Sequence, residues 1–223
     1  MRVLCQKLAW FFLIFIFAAP VGATEIKLVK GEVAEIASIV DGDTVKLKRP
    51  IGQGNMVSDQ IRLVGIQAPK LPLGRKNFEI WPLANEAKVA LEKLGLGKKV
   101  QLFYGGRRMD RPGRLLAHLH LLDGTWIQGV LLAQGMARVY SFPDNRAVVK
   151  EMLAEEKRAR RAKKGIWQHA FYRIRPHTDI VSLINSFQLI EGKIYDVAKV
   201  RNKIFINFGE NWRTDFTIAL NGH

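Results

Sequence analysis

The stretch EIASIVDGDTVKLK, residues 35–48, decides the fold because apolar and polar residues alternate on both sides of a short Asp-Gly turn. A period of two places the apolar side chains on one face of a strand. Two such strands joined by a tight turn are typical of a β-hairpin with one buried face. Since the alternation begins at Glu25, the hairpin is predicted to span residues 25–48.

The elements that follow have the order expected of a small Greek-key barrel. The sequence predicts a strand at 59–66, a helix at 82–97, a strand at 98–104, a hairpin at 114–128 that turns at Asp123 and Gly124, a short helix at 129–135, a strand at 136–142 and a longer helix at about 146–164. The predicted fold class is therefore α+β: an OB-type five-stranded β-barrel with packed helices, plus a short C-terminal β-hairpin extension.

The N-terminus has the pattern of a secretory signal peptide. Arg2 and Lys7 flank the start of an unbroken apolar run, and small residues end at Ala23. The alternative is an uncleaved membrane anchor, but the run is shorter than the roughly 20 residues that a spanning helix prefers. Residues 1–23 are predicted to be cleaved, which leaves no membrane span and places the protein in the periplasm or outside the cell. The only cysteine, Cys5, lies in this segment.

Positive charge dominates the chain. The formal net charge of +15 falls only to +13 when Arg2 and Lys7 are removed with the signal segment. Such an excess indicates a polyanionic partner, either nucleic acid, an anionic lipid surface or an acidic polysaccharide. A basic surface that only aids solubility is the alternative, and nothing in the sequence sets the oligomeric state.

The predicted organisation is a main domain at 24–172, a linker at 173–186 and a C-terminal extension at 187–223. The extension resumes the alternation of period two and resembles the first hairpin at a fixed offset, so that Val197 corresponds to Ile36 and Ile204 to Asp43. About 40 residues cannot enclose a second barrel core, so the extension is expected to dock on the main domain or to pair with another chain. Coincidence between two amphipathic hairpins is the alternative.

Three residues are the first candidates for chemistry. Asp41 and Asp43 lie one residue apart in a tight turn, and Arg62 shares a face of its predicted strand with apolar residues. An arginine in that position needs an anion, because burial of an unpaired charge costs several kcal/mol. It is either a bidentate clamp for a phosphodiester or the partner of a structural aspartate. A second cationic group follows in the loop at 105–114, where Arg114 adjoins the next strand.

The motifs IVDGDTVKL, IRLVGI, DRPGRLLA, LLAQGMARVY and KKGIW, in this order, resemble the thermonuclease (staphylococcal-nuclease-like) family over about residues 30–168. The resemblance implies a calcium-dependent phosphodiesterase that cleaves DNA and RNA. It further implies that Asp43 is a calcium ligand, with weaker help from Asp41, and that Arg62 and Arg114 are catalytic residues on the scissile phosphate. Tyr140 lies within about one residue of the family's tyrosine near the phosphate, and Arg111, in the cationic loop, is a further candidate for substrate binding.

Three positions depart from the family pattern. Gln67 replaces the usual second metal carboxylate, Lys70 replaces the glutamate that is the usual candidate for the base, and Pro112 replaces an aromatic residue. Calcium prefers several carboxylate oxygens, so these departures argue against strong calcium binding. Lys70 either points into the site and binds a phosphate or faces solvent. Glu79 is the candidate for a displaced base.

Three hypotheses for function result. The first is an exported nuclease with an altered or weakened metal site. The second is a catalytically silent module that binds nucleic acid or another polyanion on the same fold. The third is an interaction protein that uses the edge strands of its C-terminal extension to pair with a partner.

Overall fold

The computed structural model of the protein describes residues 27–179 and 183–221. The predicted signal segment lies outside the described residues. Within the described ranges, no helix combines the length and apolar character needed to cross a membrane.

The strands are β1 (Val29–Asp41), β2 (Thr44–Gln53), β3 (Met56–Leu63), β4 (Ile66–Gln67), β5 (Lys99–Tyr104), β6 (Leu115–Leu121), β7 (Arg138–Val139), β8 (Ile174–Pro176), β9 (Leu189–Glu191), β10 (Asp196–Val200), β11 (Lys203–Asn207) and β12 (Thr217–Asn221). The α-helices are α1 (Ala84–Gly95), α2 (Ile127–Ala133) and α3 (Val149–Arg161).

Five strands form the main sheet, in the order β1-β2-β3-β6-β5, and β5 pairs back to β1 so that the sheet closes on itself. The β3–β6 pair is parallel and the others are antiparallel. Large apolar side chains such as Ile61, Leu102 and Leu119 fill the interior and are fully buried. The predicted α+β class with a five-stranded sheet is confirmed, whereas the assignment to the OB type stays a prediction.

The first hairpin has the predicted alternation with one irregularity. Ile36 and Ile39 are both buried although they are three positions apart. The pairing of β1 with β2 shifts register between Ile36 and Ser38 and again between Ile39 and Asp41. Such irregularities bend a strand and change which side chains point inward. They bring Asp41 to the inner side at the end of β1, where it is 4% exposed.

Two predicted strands are shorter than expected. The hairpin predicted at 114–128 is wrong in its second half, because only the bridge between His120 and Trp126 forms before α2 begins at Ile127. Apolar residues from Ile127 onward are buried in helical spacing, so packing of α2 against the barrel overrides the short alternation. The strand predicted at 136–142 is reduced to the two residues of β7.

The antiparallel sheet of the C-terminal extension has three strands, one more than the predicted hairpin. Strands β10, β11 and β12 form an antiparallel sheet, while β8 and β9 form a separate parallel pair. The correspondence with the first hairpin does not extend to burial. Val197 is 55% exposed, whereas Ile36 is fully buried. The extension therefore reuses the alternation without enclosing an equivalent core.

Substitutions at Ile36 and Val197 should change the stability of the protein by different amounts. We expect Ile36→Ala to lower the free energy of unfolding by about 2–5 kcal/mol, because it leaves a cavity in the barrel interior. Val197→Ala should lower it by about 0.5 kcal/mol or less, as at an exposed site. Urea unfolding of both variants measures the difference, and equal losses would show that the extension has a core of its own.

Candidate functional site

The site is built on the turn between β1 and β2. Gly42 lies so close to its neighbours that a Cβ atom there would be 2.7 Å from the Cβ of Ala68 and 2.8 Å from that of Ala87. Only glycine allows this approach. The Asp41 carboxylate accepts a hydrogen bond from the backbone N–H of Asp43 at 3.0 Å, an arrangement that stabilises a tight turn. The turn thereby places the Asp43 side chain in the interior, with no exposed surface.

The Asp43 carboxylate has three donors on one oxygen. Its Oδ2 atom accepts from the backbone N–H of Ala68 at 2.8 Å and lies 2.8 Å from Nζ of Lys70 and 3.1 Å from Nη2 of Arg62. The other oxygen, Oδ1, accepts from the Thr44 hydroxyl at 3.3 Å. Two cations and two neutral donors therefore surround one buried carboxylate.

The two aspartates of the turn differ in electrostatics. Burial by itself would raise the pKa of Asp43, but the positive charges of Arg62 and Lys70 outweigh it and hold the pKa below its usual value. Burial, and then the negative charge of Asp43, raise the pKa of Asp41. Asp43 is thus held as an anion, while its neighbour is driven toward the neutral form.

Arg62 fills a structural role as well as facing a cleft. Its Nη1 atom donates to the carbonyls of Asp43 at 3.1 Å and of Leu63 at 2.7 Å, and its Nη2 atom donates to the carbonyl of Ile66 at 2.7 Å. The aspartate partner considered from the sequence is therefore present. These bonds tie the turn between β1 and β2 to β3 and β4 and leave little of the guanidinium free for a ligand.

Gln67 belongs to a network that the sequence did not reveal. Its Oε1 atom accepts from Nε and Nη2 of Arg138 at 3.1 and 2.6 Å, because β4 and β7 pair these two residues directly. Glu156 accepts a hydrogen bond from the N–H of Val139 and forms an ion pair with Arg160. The amide of Gln67 is therefore committed to an arginine instead of facing the Asp43 carboxylate.

A cleft of about 440 Å³ opens beside Arg62. It brings together the loop after β5 and the segment after β7, including Arg107, Asp110, Arg111, Arg114, Tyr140, Phe142, Asp144 and Asn145. Arg114 is fixed by Asp110, with Nη2–Oδ2 and Nε–Oδ2 distances of 2.7 and 2.8 Å. The aromatic rings of Tyr140 and Phe142 lie 5.0 Å apart and are 40% and 53% exposed. Arg62, Arg111, Arg114 and Tyr140 thus share one cleft.

The remaining candidates lie elsewhere. Lys70 contacts Asp43 and is not among the lining residues of the cleft. Asp41 and Pro112 line a neighbouring concavity of about 370 Å³ that Arg114 also borders. Glu79 is exposed in the loop between Lys70 and Trp81 and lines neither space. The structure therefore does not bring the candidate displaced base to the arginines.

A larger concavity of about 620 Å³ lies in the C-terminal extension. Its described lining includes Glu210 and Asp215 and contains neither lysine nor arginine. Acidic side chains repel a polyanion, so the smaller arginine-lined cleft is the better candidate despite its size.

Calcium does not fit the residues at the turn. Nζ of Lys70 already lies at hydrogen-bonding distance from the carboxylate that would bind the ion, and the Gln67 oxygen is bound by Arg138. Among the described residues, no three His, Cys, Asp or Glu side chains are grouped as metal ligands. Calcium needs several oxygen ligands, and a nearby ammonium group repels a divalent cation.

Comparison with known proteins agrees with the motifs. Residues 60–169 match the family described as Staphylococcal nuclease homologue. The chain is 26% identical to a protein named Thermonuclease from Staphylococcus hyicus over 135 residues, which cover 60% of this chain and 75% of that protein. It is 32% identical over 144 residues to an uncharacterized protein of Bacillus anthracis, covering 64% of this chain and 62% of that protein. The order of the motifs, the match over residues 60–169 and the similarity to a protein named Thermonuclease together support a thermonuclease-like family for this chain.

Proposed function

We propose that the protein binds the phosphodiester backbone of nucleic acid in the arginine-lined cleft, without a metal ion and without the metal-dependent hydrolysis typical of the family. One observation carries this proposal: the Lys70 ammonium lies 2.8 Å from Oδ2 of Asp43. The carboxylate that would bind calcium is neutralised by cations of the chain itself. The arginines of the cleft remain as the groups that can meet a polyanion.

The charge of the cleft supports phosphate binding. Its lining contains four arginines and two aspartates. The aspartates pair with Arg114 at 2.7 Å and with Arg107 at 3.8 Å. Arg111 is exposed and forms no ion pair with any residue that the structure describes. Guanidinium groups match phosphate geometry through paired N–H donors, so Arg111 is the group best placed to meet a phosphate.

The aromatic pair supports a single-stranded ligand. Exposed rings beside a cationic groove offer a stacking surface for unpaired bases, which binds with little dependence on sequence. Tyr140 and Phe142 supply such rings at the cleft. Single-stranded DNA or RNA is therefore the proposed ligand class.

Two finer assignments belong to the same proposal. We infer that the closed sheet is an OB-type barrel, a fold whose members bind oligonucleotides. The five-stranded order with one parallel pair supports this assignment. We also infer export to the periplasm or the outside of the cell, which the pattern of residues 1–23 supports.

Hydrolysis is the second candidate, and the similarity to the staphylococcal nuclease homologue family and to a protein named Thermonuclease favours it. It would require a base and a metal arrangement different from those at Asp43. Glu79 would have to move from its exposed position to the cleft. Loss of a positioned general base commonly costs about 10²–10⁴ in rate, so the structure favours binding.

The first prediction concerns binding and cleavage by residues 24–223. We expect single-stranded DNA and RNA to bind equally well with calcium or with chelator, and neither to be cut with calcium, magnesium or manganese. Fluorescence anisotropy and gel analysis of labelled oligonucleotides measure the two properties. Metal-dependent cutting that Asp43→Asn abolishes would refute the proposal and establish the nuclease.

Arg111→Ala should identify the binding surface. Because the side chain is exposed and proposed to contact a phosphate, we expect affinity to fall, and the slope of log affinity against log salt to become shallower by about 0.7. Arg213→Ala, in the extension, removes the same charge away from the cleft and is the matched control. Equal effects of the two substitutions would show that the cleft is not the binding surface.

Substitutions at positions 67 and 70 should create a calcium site beside Asp43. We expect the double variant Gln67→Asp, Lys70→Glu to gain calcium binding with a dissociation constant on the order of 10⁻³ M or tighter, since a carboxylate then replaces the cation on Asp43 and a second carboxylate is added at position 67. Isothermal titration calorimetry compares it with the wild-type protein, in which we expect no binding. Lys70→Met removes the cation without adding an oxygen ligand, so calcium binding by this control variant equal to that of the double variant would contradict the ligand assignment.

A further inference from the structure

Phe187, just before β9, lies in an aromatic cluster with the main domain. Its ring centroid is 4.3 Å from that of Trp81, 5.5 Å from that of Phe171 and 6.4 Å from that of Tyr172. Tyr172 is buried and donates its hydroxyl to the carbonyl of Pro82 at 2.7 Å. Phe187 therefore joins the C-terminal extension to the segment that leads into α1.

The cluster adjoins the loop that carries Lys70. The backbone N–H of Trp81 donates to the carbonyl of Lys70 at 3.0 Å, so Lys70 and Trp81 form the closed ends of this loop. Between them, positive φ values at Leu73 and Asn77 show an irregular backbone without helix or strand. The Phe187 contact with Trp81 thus bears on the backbone bond that closes this loop at Lys70.

A second contact leads to the other altered position. The guanidinium carbon of Arg138 lies 5.8 Å from the ring centroid of Phe187 and 5.0 Å from that of Tyr140. The same guanidinium donates to Gln67 at 2.6 Å. Phe187 therefore neighbours the residues that hold both Lys70 and Gln67 in place.

The extension holds Phe187 from its other side. Strand β9 pairs with β8 immediately after the ring, and Nε of Arg175 donates to Oε1 of Gln188 at 2.9 Å. These bonds fix the backbone on which Phe187 stands. The aromatic ring is thus clamped between the extension and the main domain.

We propose that Phe187 is a positioning residue: it anchors the C-terminal extension and keeps the Lys70 loop closed, so that the Lys70 ammonium stays on Asp43. The inference rests on the proposed function, because a closed Lys70–Asp43 contact is what makes the site independent of metal. The C-terminal extension then helps to hold Lys70 in place at the site. An open loop would remove one of the two cations that contact the Asp43 carboxylate.

The test is the reactivity of Lys70 toward an acetylating reagent, measured by peptide mass spectrometry in full-length mature protein without nucleic acid. Lys70 is 20% exposed and ion-paired, so its acetylation should be slow relative to that of the exposed Lys93. We expect Phe187→Ala to raise the relative rate on the order of tenfold, through a larger population of open loop. Phe187→Tyr, which keeps the ring, should restore the wild-type rate.

Phe208→Ala is the matched control, because Phe208 packs within the extension, 5.2 Å from Phe216 and 5.8 Å from His177. We expect it to leave Lys70 protected. An unchanged rate in Phe187→Ala, or an equal rise in Phe208→Ala, would overturn the proposal. If Phe187→Ala does not fold, Phe187→Leu keeps an apolar side chain and should give a smaller rise, and no rise there overturns the proposal as well.

Oligonucleotide affinity of the wild-type protein is recorded in parallel and separates the two ideas. A wild-type protein that does not bind refutes the proposed function, while Lys70 reactivity still decides the role of Phe187.

Discussion

The buried carboxylate of Asp43 is the constraint on which the site depends. An ionised carboxylate without exposed surface needs partners, since an unpaired buried charge costs several kcal/mol. In this chain the partners come from three later parts of the sequence: Arg62 on β3, the Ala68 amide after β4, and Lys70 in the following loop. One acid thereby sets the relative positions of the barrel wall and the loop above it.

Much of the fold could be predicted because residues on a buried face are apolar and recur at the period of their strand or helix. The first hairpin and α1 are both marked by regular spacing of apolar residues. The prediction failed where a short apolar pattern was compatible with both a strand and a helix. Residues after Gly124 alternate over too few positions to distinguish a strand from a helix, and packing of Ile127 against the barrel decides for the helix.

The site was predictable in its residue types but not in its pairings. An arginine in an apolar strand indicates that an anion lies nearby, but Asp43 was predicted as a metal ligand and not as the partner of Arg62. Whether Lys70 would face solvent or the site could not be decided, because the loop after it has no period. Arg138 was missed since β4 and β7 each have only two residues, and its partner Gln67 lies 71 positions away in the chain.

The position of Lys70 on Asp43 has a consequence for how such a site responds to its surroundings. A free ion occupies a carboxylate according to its concentration, so an ion-binding site reports the composition of the medium. A cation attached to the chain is present at an effective concentration set only by the loop that carries it. Whether a cation lies on the Asp43 carboxylate then depends on the conformation of that loop. The concentration of ions in the medium no longer decides it. In the proposed metal-free site, the state of this carboxylate is thus set by how the chain itself folds.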